Sequence, residues 1–259
     1  MTGNRKRTGL VIQGRDRRLL LELGAMRVID RELVKLVAGF RSTTRANTRL
    51  LKLTRGELLN RFFVGTAAAG RKAIYTLSPK GAAIIDAPYR GISRRHGQTL
   101  VGDLFVAHQS QINEVYATVK YRTLPAGLRF LRWQAFRESL TPSSRLIPDG
   151  YFELSTGVGI RASFLEVDLG HETMRVWERK VRSYLQLAVS GDFTRVFHQP
   201  QFRVLVLANS ERRLRSIRAA IAAQTDKVFW LSDLETINRA GLWSPVWLRP
   251  KGDQRLSLF

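Results

Sequence analysis

Three carboxylates give this 259-residue sequence its most chemically suggestive pattern: Asp149, Glu166 and Asp168, spread over two segments that read as a β-hairpin. Asp149 lies in Pro148–Asp149–Gly150 at the start of one strand, and Glu166–Val167–Asp168 closes its partner. Side chains two apart on a strand share a face. Glu166 and Asp168 therefore project together, and hairpin pairing can place Asp149 beside them. Carboxylates brought together repel one another, and a hard cation with oxygen ligands relieves the repulsion. Mg²⁺ or Mn²⁺ held by Asp149, Glu166 and Asp168 could activate water against a phosphodiester. Lys180 and Tyr184 share a face of the helix expected next and can point at the same place. The competing reading makes the acids a surface cluster paired with Arg161, Arg175 or Arg179, with no chemistry attached.

A second group of residues suits DNA. The segment from Ser42, Thr43 or Thr44 to about Arg55 reads as a helix with Leu50, Leu51 and Leu53 as apolar anchors. Thr44, Arg45, Asn47, Thr48, Arg49 and Lys52 fall on its polar faces. Arg and Asn match the edges of guanine and adenine, and Lys suits phosphate. Downstream, Arg71 and Lys72 close a small basic loop, Gly65–Lys72, where they could meet flanking phosphate or the minor groove. The bland alternative is a solvated helix beside a loop.

The elements that must position these groups are legible from periodicity and caps. Arg15–Gly24 reads as a helix ending on Gly24 as a left-handed cap. Asp30 caps a helix through Phe40 with Leu33, Val34, Leu36 and Val37 inward. Strands are expected at Leu59–Val64 and Ala73–Leu77, and Ser78–Pro79 opens a further short helix. Three short helices, a tight Gly39–Phe40 turn and a hairpin make the order of a winged helix-turn-helix. Pro88–Gly97 reads as a basic linker. A long helix, about Gln98–Arg122, follows with an apolar stripe of Leu100, Val101, Leu104, Phe105, Ile112, Val115 and Val119. Then come strands at Phe130–Phe136, Ile147–Leu154 and Ile160–Val167, a helix at Glu172–Val189, a strand at Phe202–Leu207, a helix at Glu211–Ala223 and a strand at Val228–Leu231. A short helix near Asp233–Asn238 and the Trp243–Trp247 segment complete the chain. Such alternation argues for α/β layers around a mixed sheet. The expected division is a disordered basic arm at 1–14, a DNA-binding domain at 15–95 and an α/β domain at 96–259.

Charge supports the assignment. The chain carries 43 Lys and Arg against 21 Asp and Glu, a net charge of +22. Residues 1–95 hold 21 of those bases and only 6 of the acids, so the polyanion partner belongs mainly to the N-terminal third. Cysteine is absent, which excludes disulfides and thiolate metal sites. The four histidines, 96, 108, 171 and 198, are scattered and give no basis for a histidine-ligated relaxase. No apolar run is long enough to span a membrane, and the cytoplasm, in association with nucleoid or plasmid, is the expected location.

Asp149, the Glu166–Val167–Asp168 strand and the helix carrying Lys180–Val–Arg–Ser–Tyr184 resemble the PD-(D/E)xK nuclease core. The whole layout resembles the replication-relaxation family of plasmids and integrative elements: winged helix, long helix with His108, Asn113 and Glu114, PDG, E-x-D, K-x-x-x-Y and a late Trp247. This resemblance covers roughly residues 15–250. It implies an α/β fold overall, with a winged helix-turn-helix followed by a PD-(D/E)xK-like domain around a mixed central sheet. It also implies Asp149 and Glu166 as metal ligands, with Glu114 as a helix acid. Asp168 stands where the nuclease pattern has lysine, and Lys180 is the candidate substitute.

Two functions follow from these readings. One is a sequence-directed duplex-DNA-binding protein of a mobile element, acting in replication, mobilisation or DNA processing as an Mg-dependent endonuclease or nickase. The other is a non-catalytic initiator or transcriptional regulator whose degenerate second domain dimerises or recruits replication or conjugation proteins. Double-stranded DNA is the partner in both, a homodimer is compatible with either, and no membrane is involved.

Overall fold

The computed structural model describes residues 10–65, 70–89, 99–141 and 145–259. Residues 1–9 of the expected arm, 66–69 of the loop, most of the linker and the side chains of Leu100 and Val101 lie outside the described residues. The chain splits into two compact units between Ala117 and Thr118. The first unit therefore takes in most of the long helix.

In the first unit α1 (Gly14–Met26) leads to a two-residue strand β1 (Ile29–Asp30), then α2 (Arg31–Ala38) and α3 (Thr43–Arg55). The hairpin β2 (Leu59–Gly65) and β3 (Arg71–Leu77), the short helix α4 (Pro79–Ile84) and α5 (Thr99–Tyr121) follow. Caps set the helix starts. Asp30, Ser42 and Ser78 accept from Leu33 N, Arg45 N and Gly81 N, filling donors that the first turn leaves open. Gly39, at φ +68, ends α2 in the left-handed conformation.

Gly24 does not end α1. The helix runs on to Met26 and Arg27 takes the positive φ, because Leu23 and Met26 still have core to bury against. Asn113 on α5 holds that turn by donating to the carbonyls of Met26 and Val28 at 3.1 and 2.7 Å. The sheet order is β1-β3-β2, all antiparallel. On α5, Val106, Ile112, Val115 and Val119 are buried, whereas Leu104 is exposed.

The second unit is α/β with a mixed five-stranded sheet. It contains β4 (Arg129–Gln134), β5 (Gly150–Thr156), β6 (Gly159–Asp168), α6 (Met174–Val189), α7 (Asp192–Phe197), β7 (Phe202–Ala208), α8 (Glu211–Ala222), β8 (Phe229–Asp233) and α9 (Leu234–Ala240). The order is β4-β5-β6-β7-β8. The first three strands pair antiparallel, and β6-β7 and β7-β8 pair parallel, as helical crossovers require. One sheet face packs Tyr151, Phe164, Val204, Phe229 and Leu231 against Trp177, Val181, Tyr184, Leu214, Ile217 and Ile221 of α6 and α8. The adjacent short helix α7 adds Phe193 and Phe197 to that core.

Candidate functional site

The face of α3 is built by its own periodicity. Ala46, Leu50 and Leu53, four and three residues apart, are buried, which turns the other side outward. Thr44, Arg45, Asn47, Thr48 and Lys52 are exposed there. Arg49 departs from that set. Its guanidinium donates to Asp16 Oδ1 at 2.8 Å and to the Val11 carbonyl at 2.7 Å, and a second N–H reaches Asp16 Oδ2. Asp16 is almost fully buried and also accepts from Gln13 N at 2.6 Å. Arg49 therefore joins α3 to the start of α1, and residues 11–13 of the expected arm take part in the fold. Arg71 and Lys72 lie within β3. Arg71 is exposed, and Lys72 ion-pairs with Asp30, the residue that caps α2.

The acidic residues of the second unit enter two separate networks. Glu166 is completely buried. Its Oε1 accepts from the Tyr184 hydroxyl at 2.6 Å and its Oε2 from Lys180 Nζ at 2.8 Å. Lys180 also reaches Glu172 at 2.7 Å and lies over the Trp177 ring. Burial pushes the Glu166 carboxyl up to about 7, and the nearby Asp149 carboxylate adds to the rise, against the pull of Lys180 and Tyr184. Lys180 is itself partly desolvated, but Glu166, Glu172 and Asp149 together hold its pKa above the usual lysine value. Burial, with Glu166 close by, drives the Tyr184 hydroxyl well above 10.

Asp168 faces another set of donors. Arg213 on α8 grips both oxygens, Nε to Oδ1 at 2.9 Å and Nη2 to Oδ2 at 2.7 Å. Trp177 Nε1 and Gly170 N each add a bond at 2.6 Å. Burial alone would raise this carboxyl, but Arg213, Trp177 and Gly170 outweigh it and hold it below the usual aspartate value. Asp149 turns to the backbone, accepting from Val167 N at 2.7 Å.

Asp149, Glu166 and Asp168 thus do not converge on a shared point, and among the described residues no three such groups could hold a metal ion. The donor set does not fit Mg²⁺ or Mn²⁺. Those ions retain several waters in their shell, whereas Glu166 has no exposed surface and both its oxygens are engaged. A cation entering there would also meet the Lys180 ammonium. The alternative of a surface cluster paired with Arg161, Arg175 or Arg179 fails as well, because Glu166 and Asp168 are buried and their partners are Lys180 and Arg213. The pairing of Lys180 and Tyr184 was legible from their spacing. Arg213 carried no sequence signal, since only the parallel pairing of β7 with β6 sets the start of α8 beside the end of β6. Glu114 stands on the part of α5 that belongs to the first unit, and the Asn113 beside it is a structural hydrogen bonder.

Residues 20–198, from α1 through the residue that ends α7, match the family model for replication-relaxation. The chain belongs to the replication-relaxation family. The matched span includes α3, the hairpin of the first unit, the Glu166 network and Asp168, and it stops short of β7 and Arg213. No curated protein and no solved structure matches the chain. Among the described residues no helix is long and apolar enough to cross a membrane.

Proposed function

We propose that this replication-relaxation protein binds double-stranded DNA in a sequence-directed way and serves the replication or mobilisation of a mobile element. In this reading α1, α2, α3 and the β2–β3 hairpin form a winged helix-turn-helix. Thr44, Arg45, Asn47, Thr48 and Lys52 on α3 enter the major groove, and Arg71 lies on the wing. The observation that carries it is the outward polar row of α3, which puts two cations and an amide opposite a three-residue buried stripe. The basic excess of residues 1–95 supports the same face. Arg49 is a positioning residue that fixes α3 against α1.

The second unit is, in this proposal, a non-catalytic PD-(D/E)xK-like module that dimerises or recruits other replication or conjugation proteins. Its acids tie the end of the central strand β6 to α6 and α8 through Lys180 and Arg213 and need no Mg²⁺ or Mn²⁺. Binding to duplex selected from a random-sequence pool tests the first part: Arg45→Ala should weaken it, and unchanged binding refutes the assignment of α3.

One observation favours the rival reading as a metal-dependent nickase: a lysine touches the E-x-D glutamate, with Asp149 near enough to perturb it. Plasmid nicking with added Mg²⁺ or Mn²⁺ separates the two. The non-catalytic reading expects no nicks from wild type. Nicking that disappears in Asp149→Ala and Glu166→Ala contradicts it.

A further inference from the structure

Away from the acidic networks, the opposite face of the second unit's sheet carries three arginines that, among the described residues, make no ion pair with a carboxylate. Arg161 is on β6 and Arg203 on β7; both alternate away from the residues that pack against α6 and α8. Arg249 approaches from the segment that bridges β8 through Leu231 and Leu248. Trp230 of β8 lies under two of the guanidiniums, 4.9 Å from Arg203 and 4.8 Å from Arg249. Arg203 also covers the ring of Phe259, which is 46% exposed.

The cations are close enough to work against one another. Burial, with Arg161 and Arg249 beside it, lowers the Arg203 guanidinium to about 10. Exposed Asp226 attracts Arg249 without pairing with it. Arg203 donates to the Leu258 carbonyl, and Arg249 to those of Phe229 and Asp226 at 2.9 Å each. Carbonyls orient a guanidinium but do not neutralise it. Among the described residues the Arg161 side chain has no hydrogen-bond or ion-pair partner. A sheet face that holds like charges together, with none of the three guanidiniums ion-paired to a carboxylate among the described residues, is poised for an external anion.

We infer that Arg161, Arg203 and Arg249, with the rings of Trp230 and Phe259, form a contact for single-stranded DNA. The guanidiniums take backbone phosphates and the exposed Phe259 ring stacks a base. Cations interleaved with aromatic rings suit a single strand, whose bases are free to stack; in a duplex the bases are already stacked on one another. The inference is independent of α3, because it concerns another unit and another form of DNA.

The test uses the full chain and a fluorescent oligothymidine, with affinity measured across a salt series. For single strands log K falls with log salt by about 0.7 per phosphate neutralised. Arg161→Gln with Arg203→Gln should flatten the slope by about 1.4 and weaken binding at low salt. Phe259→Ala should weaken binding with the slope unchanged. Duplex binding should persist in these variants, whereas Arg45→Ala should lose the duplex and keep the oligothymidine. If the double variant melts early, Arg161→Glu decides alone, because Arg161 supports no other group. Wild type that ignores oligothymidine, or an Arg161→Glu chain that binds it with the wild-type slope, overturns the inference.

Discussion

Arg49 and Asp16 show how one residue's type can promise a different role from the one its surroundings give it. An arginine in the middle of a polar helix face reads as a DNA contact. Its fate is set by an aspartate 33 positions earlier, and no local pattern announces such a pairing. Removing one partner of a buried ion pair costs up to about 3–5 kcal/mol, reduced here because Gln13 N still holds an oxygen of Asp16. Arg49→Ala should therefore lower the melting temperature of the isolated protein before any DNA is added. A wild-type melting curve would show that the Asp16 contact is idle.

Glu166 makes a pH prediction with a definite sign. Its folded pKa of about 7 exceeds the ordinary 4.5, so the folded state holds the proton more tightly than the unfolded chain. The stabilisation is complete below about 4.5 and is lost as pH rises towards 7. Glu166→Gln removes that titration. The melting temperature of wild type relative to Glu166→Gln should fall between pH 5 and pH 7, and a pH-independent difference would count against it. Asp168 has the opposite sign: its depressed pKa makes its contribution fade only as pH drops below the ordinary aspartate range.

At the scale of elements, caps and periodicity transferred well from sequence to structure. Asp30, Ser42 and Ser78 start α2, α3 and α4 as their side chains dictate, and β5, β6 and β7 follow their apolar runs. What failed to show depends on partners distant in sequence. Two residues, Ile29 and Asp30, have no strand periodicity, and they become β1 only because Tyr75 and Ile74 offer a ladder. Phe193 and Phe197 of α7 are spaced for a helix too short to stand out from the connection around it.

Gly81 on α4 carries a prediction of the same kind. Glycine inside a helix normally costs about 0.5–1 kcal/mol relative to alanine, so Gly81→Ala should stabilise on propensity alone. A Cβ at this position would lie 2.1 Å from the Leu58 carbonyl oxygen, however, and backbone cannot swing aside as a side chain can. The close approach should win, with Gly81→Ala destabilising the chain by about 1–3 kcal/mol. A gain in the denaturation midpoint would show that α4 is free to shift.

At the scale of the whole molecule, charge and acid chemistry separate. The three candidate metal-binding carboxylates were legible as residue types but not as geometry: i, i+2 spacing does put Glu166 and Asp168 on one face, yet each meets a different cation there. Which cations they meet follows from helix crossovers, and those are decided by the fold. The outward side of α3 was more legible, because burial of Ala46, Leu50 and Leu53 alone determines which way Arg45 and Lys52 point.

The central claim, duplex recognition by that face, is tested most directly by comparing wild type and Arg45→Ala on a duplex selected from a random pool and on an unrelated duplex of equal length. A contact to a base edge is worth about 1–3 kcal/mol of discrimination. The account predicts a loss of roughly tenfold or more on the selected site and little change on the unrelated one. Equal affinity of the two proteins for the selected site, in a variant that melts like wild type, would contradict it.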